Sequence, residues 1–243
     1  TGMAYHVPIR WVILPGNHDS LQATELWAHL AADAPGNVVL ATEQAPIDLG
    51  AGAVLLPAPC TTRRAGRDLS AWMDDAATAE GAIRIGLAHG AIQIFSEDAG
   101  ASEVIAPDRA RRAGLDYLAL GDWHGALEVD SRTHYSGTPE QDRFRGNEPG
   151  YALDVRIAAP GATPQVERVP TGKYRWSAWT ETLSLPTDAQ ALAERLAALR
   201  AEDVLRLELQ GHVNVPTWEA LQRAVDQAAA QARAVLPDFS GLL

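Results

Sequence analysis

The sequence predicts a mixed α/β fold, and three observations carry that prediction. Short apolar strands alternate with stretches of helical periodicity over the first two thirds of the chain. Three of those strands run out into Gly beside His or Asp. From Leu127 onward the pattern becomes short β segments separated by turn residues. With 243 residues and 47% hydrophobic content, the chain can build one large core plus a smaller appendage. No apolar run reaches membrane-spanning length and the first residues lack a signal-peptide layout, so the chain reads as cytoplasmic with no membrane partner. The single cysteine, Cys60, has no internal disulfide partner, which suits a reducing compartment. A net charge of −11 argues against a broad basic surface that grips nucleic acid. That acidity is either solubilising charge on helix faces or carboxylates held in reserve as ligands for divalent cations.

The elements follow in order. "RWVIL" reads as a strand feeding "PGNHDS", and "SLQATELWAHLAAD" has helical spacing with Ser20 as a candidate N-cap. Further strands are expected at "NVVLA", "AVLLPAP", "IRIGLAH" and "YLALGDW", and "APDRARRAGLD" reads as a helix closing at Gly114. "ALEVD", "THYSGTP" and "YALDVRI" are the β segments. Small and turn-forming residues in "AAPGATPQ" place a domain boundary there, giving a core over 1–160 and a small module over 161–243. Within the module, "YRWSAWTETLSL", "DAQALAERLAALRAED", "VLRLELQG" and "TWEALQRAVDQAAAQARAVL" read as β-α-β-α, with structural roles for nearly every residue.

Chemistry concentrates at three strand ends: Asn17, His18 and Asp19 after the first strand, His89 after "IRIGLA", and Asp122 with His124 in "GDWHG". In a strand-rich α/β fold the carboxyl ends of parallel strands converge on one crevice, so three such loops can share a pocket. Imidazole, carboxylate and amide oxygen are the ligand set of Mn²⁺, Fe or Zn²⁺ in hydrolytic sites, and glycine allows close backbone approach. A lone His at a strand end is more often structural; the grouping in three similar loops points to ligation. His6, His29, His134 and His212 lack that context.

"PGNHD", "LAHG" and "LGDWHG", in this order, resemble the last three motifs of the calcineurin-like metallophosphoesterases. The following "RTHYSGTPEQDRF" is similar to the segment after the last metal motif in SbcD-like nucleases, the exonuclease subunits of double-strand-break repair. The resemblance covers residues 11 to about 157, with the tail a looser match to a capping domain. It implies a four-layer α/β/β/α metallophosphoesterase sandwich, incomplete at its N-terminus, with a small α+β capping domain. It further implies a metal-dependent DNA phosphodiester hydrolase with two divalent ions, Mn²⁺ first among them, working with an SbcC-like ATPase; a homodimer is a further candidate assembly. Asn17 and His89 would ligate one metal and His124 the other, His18 would be the catalytic imidazole, and Asp19 would orient it. Tyr135, Ser136 and Arg143 are candidate substrate contacts.

Two departures from the family pattern stand out. Asp122 takes the place of an imidazole ligand in the usual Gly-His-x-His; it can bind as a hard anionic donor favouring Mn²⁺ or Mg²⁺, or instead cap a turn. The family's opening Asp-x-His and Gly-Asp motifs have no counterpart ahead of "GNHD", so the expectation is the later part of a longer protein, inactive alone. A phosphoesterase on small or protein-bound phosphates, or a noncatalytic scaffold of the same fold, are the alternatives.

Overall fold

The computed structural model describes residues 9–63, 66–92, 104–144 and 148–243. It is a mixed α/β structure with a central mixed sheet and few helices. The chain divides into two compact units, Thr1–Gly137 with Tyr151–Val169, and Thr138–Gly150 with Pro170–Leu243. None of the helices among the described residues is long and apolar enough to cross a membrane.

The first unit opens with β1 (Trp11–Ile13), which pairs in parallel with β2 (Val38–Leu40) across the helix α1 (Thr24–Asp33). Ser20 does not cap α1. Its carbonyl accepts the Ala23 amide, making a turn that delays the helix to Thr24. The central sheet then forms from β3 (Ile47–Gly50), β4 (Ala53–Ala58) and β5 (Ile83–His89). A two-residue β6 (Ala91–Ile92) pairs with β7 (Val104–Ile105), and one turn of helix, α2 (Arg109–Arg112), precedes β8 (Tyr117–Gly121). Gly114, at φ 57°, turns the chain from α2 toward β8. β9 (Leu127–Asp130) and β10 (Thr133–Tyr135) complete the sheet in the order β3-β4-β5-β8-β10-β9.

Its four inner strands are parallel and the two edge strands antiparallel. Parallel strands covered on both faces carry near-continuous apolar runs, which is what "AVLLPA" and "YLALG" supply. Leu56 and Leu118 are completely buried and pack with Met73, Ile92 and Tyr135. The register sets Ala88 beside Leu120 and His89 beside Gly121, so β5 and β8 end level with each other. Arg109 is buried and bridges Asp68 (2.7 Å), Asp74 and Ser70 (3.1 Å). Burial opposes the charge on Asp68, but hydrogen bonds from Ser70 and Arg109 hold its carboxyl below the ordinary value.

β11 (Tyr151–Arg156) pairs with β12 (Gln165–Pro170), a strand that its polar sequence conceals. The turn-rich "AAPGATPQ" joins these two strands, so the first unit continues through Val169 where a boundary near 160 was expected.

The second unit is a three-stranded all-parallel sheet: β13 (Arg175–Leu183), α3 (Pro186–Ala197), β14 (Asp203–Gly211), α4 (Val215–Gln231) and β15 (Ala234–Leu242). Leu205, Leu207 and Leu209 alternate onto one face and pack with Leu192, Leu196, Leu221 and Val225 from the helices. The expected β-α-β-α order gains a fifth element. The Ala-rich periodicity extends the expected helix through Leu236, whereas α4 ends at Gln231 and Ala234–Leu242 joins the sheet as an edge strand that accommodates Pro237.

Candidate functional site

The loop after β1 is held shut before any of its polar side chains is placed. The Cys60 amide donates to the Pro15 carbonyl and the Leu21 amide donates to the Cys60 carbonyl, both at 3.0 Å, so Cys60, two residues past the end of β4, clasps both ends of the segment. Inside it, Asp19 Oδ1 accepts the Gly16 amide at 2.7 Å, and the Trp27 indole donates to the Asp19 carbonyl at 2.8 Å. This closed loop presents Asn17. The end of β5 presents His89, and the residue after β8 presents Asp122.

These three side chains meet. Asn17 Oδ1 lies 3.2 Å from His89 Nε2, Asn17 Nδ2 donates to Asp122 Oδ1 at 3.1 Å, and His89 Nε2 lies 3.6 Å from Asp122 Oδ1. The His89 ring occupies a slot between two glycines: a Cβ on Gly16 would lie 2.9 Å from Cε1 and one on Gly121 2.8 Å from Nδ1. Tyr135 donates its hydroxyl to the Gly90 carbonyl at 2.7 Å, the Gly90 amide reaches the Gly121 carbonyl at 3.2 Å, and Cys60 Sγ reaches the His89 carbonyl at 3.5 Å. Asp122 adopts φ 102°, a conformation that L residues with side chains rarely hold. Such strain persists only where surrounding structure over-determines it, and here it aims the carboxylate at Asn17 and His89.

The trio fits a divalent cation in chemistry and in spacing. With metal–ligand bonds of about 2.0–2.2 Å, neighbouring ligands sit about 3.0–3.6 Å apart, and the distances from His89 Nε2 to its two oxygen neighbours fall there. Nε2 of His89 can ligate a cation only in the form in which that nitrogen carries no proton. The side chains of His89 and Asp122 are 24% and 33% exposed, open enough for an ion to enter. Among the described residues no group of three or more His, Cys, Asp or Glu side chains gathers closely enough to hold a metal, so Asn17 is what joins His89 to Asp122.

The other expected site residues are placed as follows. His18 is exposed, and among the described residues no hydrogen bond or ion pair joins it to Asp19, whose carboxylate closes its own loop instead. His124 is half-buried in the loop after Asp122. Tyr135 is 2% exposed and uses its hydroxyl on Gly90, so it braces the His89 strand end instead of facing a substrate; burial pushes its hydroxyl pKa above the ordinary value. Ser136 Oγ donates to the Gly137 carbonyl at 3.3 Å. Arg143 belongs to the second unit and pairs there with Asp142 at 3.1 Å. His6 lies outside the described residues. The residue that sequence reasoning passed over is Cys60, and the signal was available: "LLPAPC" is a further apolar strand running into the same crevice.

No protein-family model matches the chain, and no curated protein matches it either.

Proposed function

We propose that the chain is a metal-dependent phosphodiester hydrolase acting on DNA, built on a four-layer metallophosphoesterase sandwich and serving as a nuclease subunit alongside an SbcC-like ATPase. One observation carries the reading: an amide, an imidazole and a carboxylate from three segments far apart in sequence meet within 3.6 Å. The ordered motifs "GNHD", "AHG" and "GDWHG" support it.

Asn17, His89 and Asp122 would hold a cation such as Mn²⁺, which when bound supplies positive charge for phosphate oxygens and a more acidic water. The chain's own residues do the rest. Gly16 and Gly121 fix the plane of the His89 ring, while Cys60 holds the His89 carbonyl and Tyr135 the carbonyl of the next residue, Gly90. His18, exposed beside Asn17, is free to reach a leaving oxygen and give it a proton as general acid.

The test is Mn²⁺-dependent hydrolysis, by the full-length protein of which this sequence is expected to be the later part, of linear duplex and single-stranded DNA beside a chromogenic bis-phosphate ester. DNA degradation supports the reading; ester cleavage without DNA degradation moves the activity to small phosphates, and no hydrolysis of either removes it. His18→Ala is expected to lower turnover by roughly 10² or more with metal content unchanged. Loss of metal from that variant would make His18 a ligand and overturn its assignment as the acid.

A further inference from the structure

We propose that Trp123 is a stacking platform for an unpaired nucleobase beside the candidate cation site; this rests on the phosphodiesterase reading above. Trp123 sits between Asp122 and His124 and is 47% exposed. Of the other tryptophans of the first unit, the Trp27 indole donates to the Asp19 carbonyl and that of Trp72 to the Pro57 carbonyl, while Trp11, in β1, is 56% exposed but does not adjoin Asn17, His89 or Asp122 in sequence. Trp123 makes no hydrogen bond among the described residues.

The exposure belongs to a fixed loop. On one side Asp122 holds its φ of 102°. On the other, Gly137, at φ 73°, packs so tightly on the loop that a Cβ there would lie 2.6 Å from the Gly125 carbonyl carbon and 2.9 Å from the His124 oxygen. A side chain at position 137 would push this loop away, so the glycine seats the segment that carries the ring. The indole is therefore presented at a set position, one residue from the carboxylate of the candidate cation site.

The chemistry of the occupant follows from charge. A chain of net charge −11 has little general attraction for a polyanion, so binding beyond the cation needs a contact that does not depend on cationic side chains. Base-on-indole stacking is such a contact, and it tolerates any sequence because every base has a π face. Bases inside a duplex are already stacked on their neighbours, so the base available to Trp123 is an unpaired one.

The test is fluorescence anisotropy with labelled oligothymidylate and with an abasic oligomer of equal length, on the wild-type chain, Trp123→Ala and Trp123→Phe, without and with Mn²⁺. Wild type is expected to bind oligothymidylate roughly tenfold tighter than the abasic strand. That ratio should collapse toward one in Trp123→Ala and survive largely in Trp123→Phe, whose ring still stacks. Quenching of intrinsic tryptophan fluorescence by oligothymidylate should shrink in Trp123→Phe, a readout that holds even if Trp123→Ala folds poorly. An unchanged ratio in a folded Trp123→Ala, or no binding of either oligomer by wild type under both conditions, overturns the proposal. Failure of the phosphodiesterase reading is separate, since it is seen as absent hydrolysis and not in the binding ratio.

Discussion

Asp122 in the first unit and Gly211 in the second both turn the chain at positive φ where a strand ends, and they are different amino acids. At the end of β14, Gly211 has φ 111°, and a Cβ there would run into the Leu183 carbonyl. Just past β8, Asp122 holds φ 102° with a side chain attached. Glycine adopts this geometry without steric cost, whereas a residue with a Cβ holds it at a cost on the order of 1–3 kcal/mol. The second unit needs only a tight corner and has the residue that fits. The first unit keeps a strained carboxylate because that carboxylate reaches Asn17.

The same contrast runs through the interiors. Ser20, Ser70, Arg109, Asp116, Thr133 and His134 are the buried polar residues among those described, and all lie in the first unit. The core of the second is aliphatic. Polar burial is costly unless partnered, so the first unit should be the more sensitive to substitution of its polar groups and to pH.

The largest expected effect breaks the buried cation. Arg109→Ala leaves Asp68 and Asp74 without their shared partner and should destabilise the first unit by about 3–5 kcal/mol, read as an earlier urea midpoint. A midpoint within experimental scatter of wild type would mean the network is dispensable. Next, Gly211→Ala should cost the second unit about 3 kcal/mol through the clash with Leu183 and the strained φ, read in the same way.

Acid should then separate the two units. Burial holds the His134 pKa below 6.5, against the opposing pull of Glu128 and Asp130 and with the help of Arg168, while its ring stacks on Tyr117 and Nδ1 has no hydrogen-bond partner among the described residues. A depressed folded pKa means that the neutral form is the one the fold favours. Its contribution is present above pH 6.5 and lost as pH falls through the folded value. In the second unit, Asp203 is held below the ordinary 3.8 by Arg175 and Asp188 by the Ser184 amide, so their contributions persist until pH falls below that value. Melting followed from pH 7 to about 5 should therefore show early softening that His134→Phe removes. An equal slope in the variant would remove His134 as its cause.

The smallest effect runs in the opposite direction. Asp122→Gly relieves the backbone strain and should stabilise the first unit by about 1 kcal/mol, even as it removes the carboxylate that Asn17 contacts.

How much of this was legible depends on what each residue's neighbours in sequence reveal. The strands ending at His89 and Gly121 were readable because buried parallel strands are almost wholly apolar and the polar residue that follows breaks the run. That Asn17, His89 and Asp122 occupy strand ends followed from sequence, while their contact depends on a Cys60 clasp made by backbone hydrogen bonds between segments far apart in the chain. Asp19 was expected to serve His18, yet an amide three residues back in its own loop is nearer and takes the carboxylate. Tyr135 is a candidate substrate contact only through the resemblance of its "YSGTP" stretch to SbcD-like nucleases, and the hydrogen bond to the Gly90 carbonyl shows its hydroxyl turned inward. β12 was invisible since only Val166 breaks its exposed, largely polar run, and β15 was masked by the alanine periodicity of α4 running into it.

The central claim is that a cation is what the strained carboxylate is for. The direct measurement is a Mn²⁺ titration by calorimetry on the wild-type chain and on Asp122→Gly, with the melting temperature of each recorded without metal. The expected result is Mn²⁺ affinity at least roughly tenfold weaker in a variant that melts higher than wild type. Equal affinity in the two chains, or no Mn²⁺ binding by wild type, would contradict it.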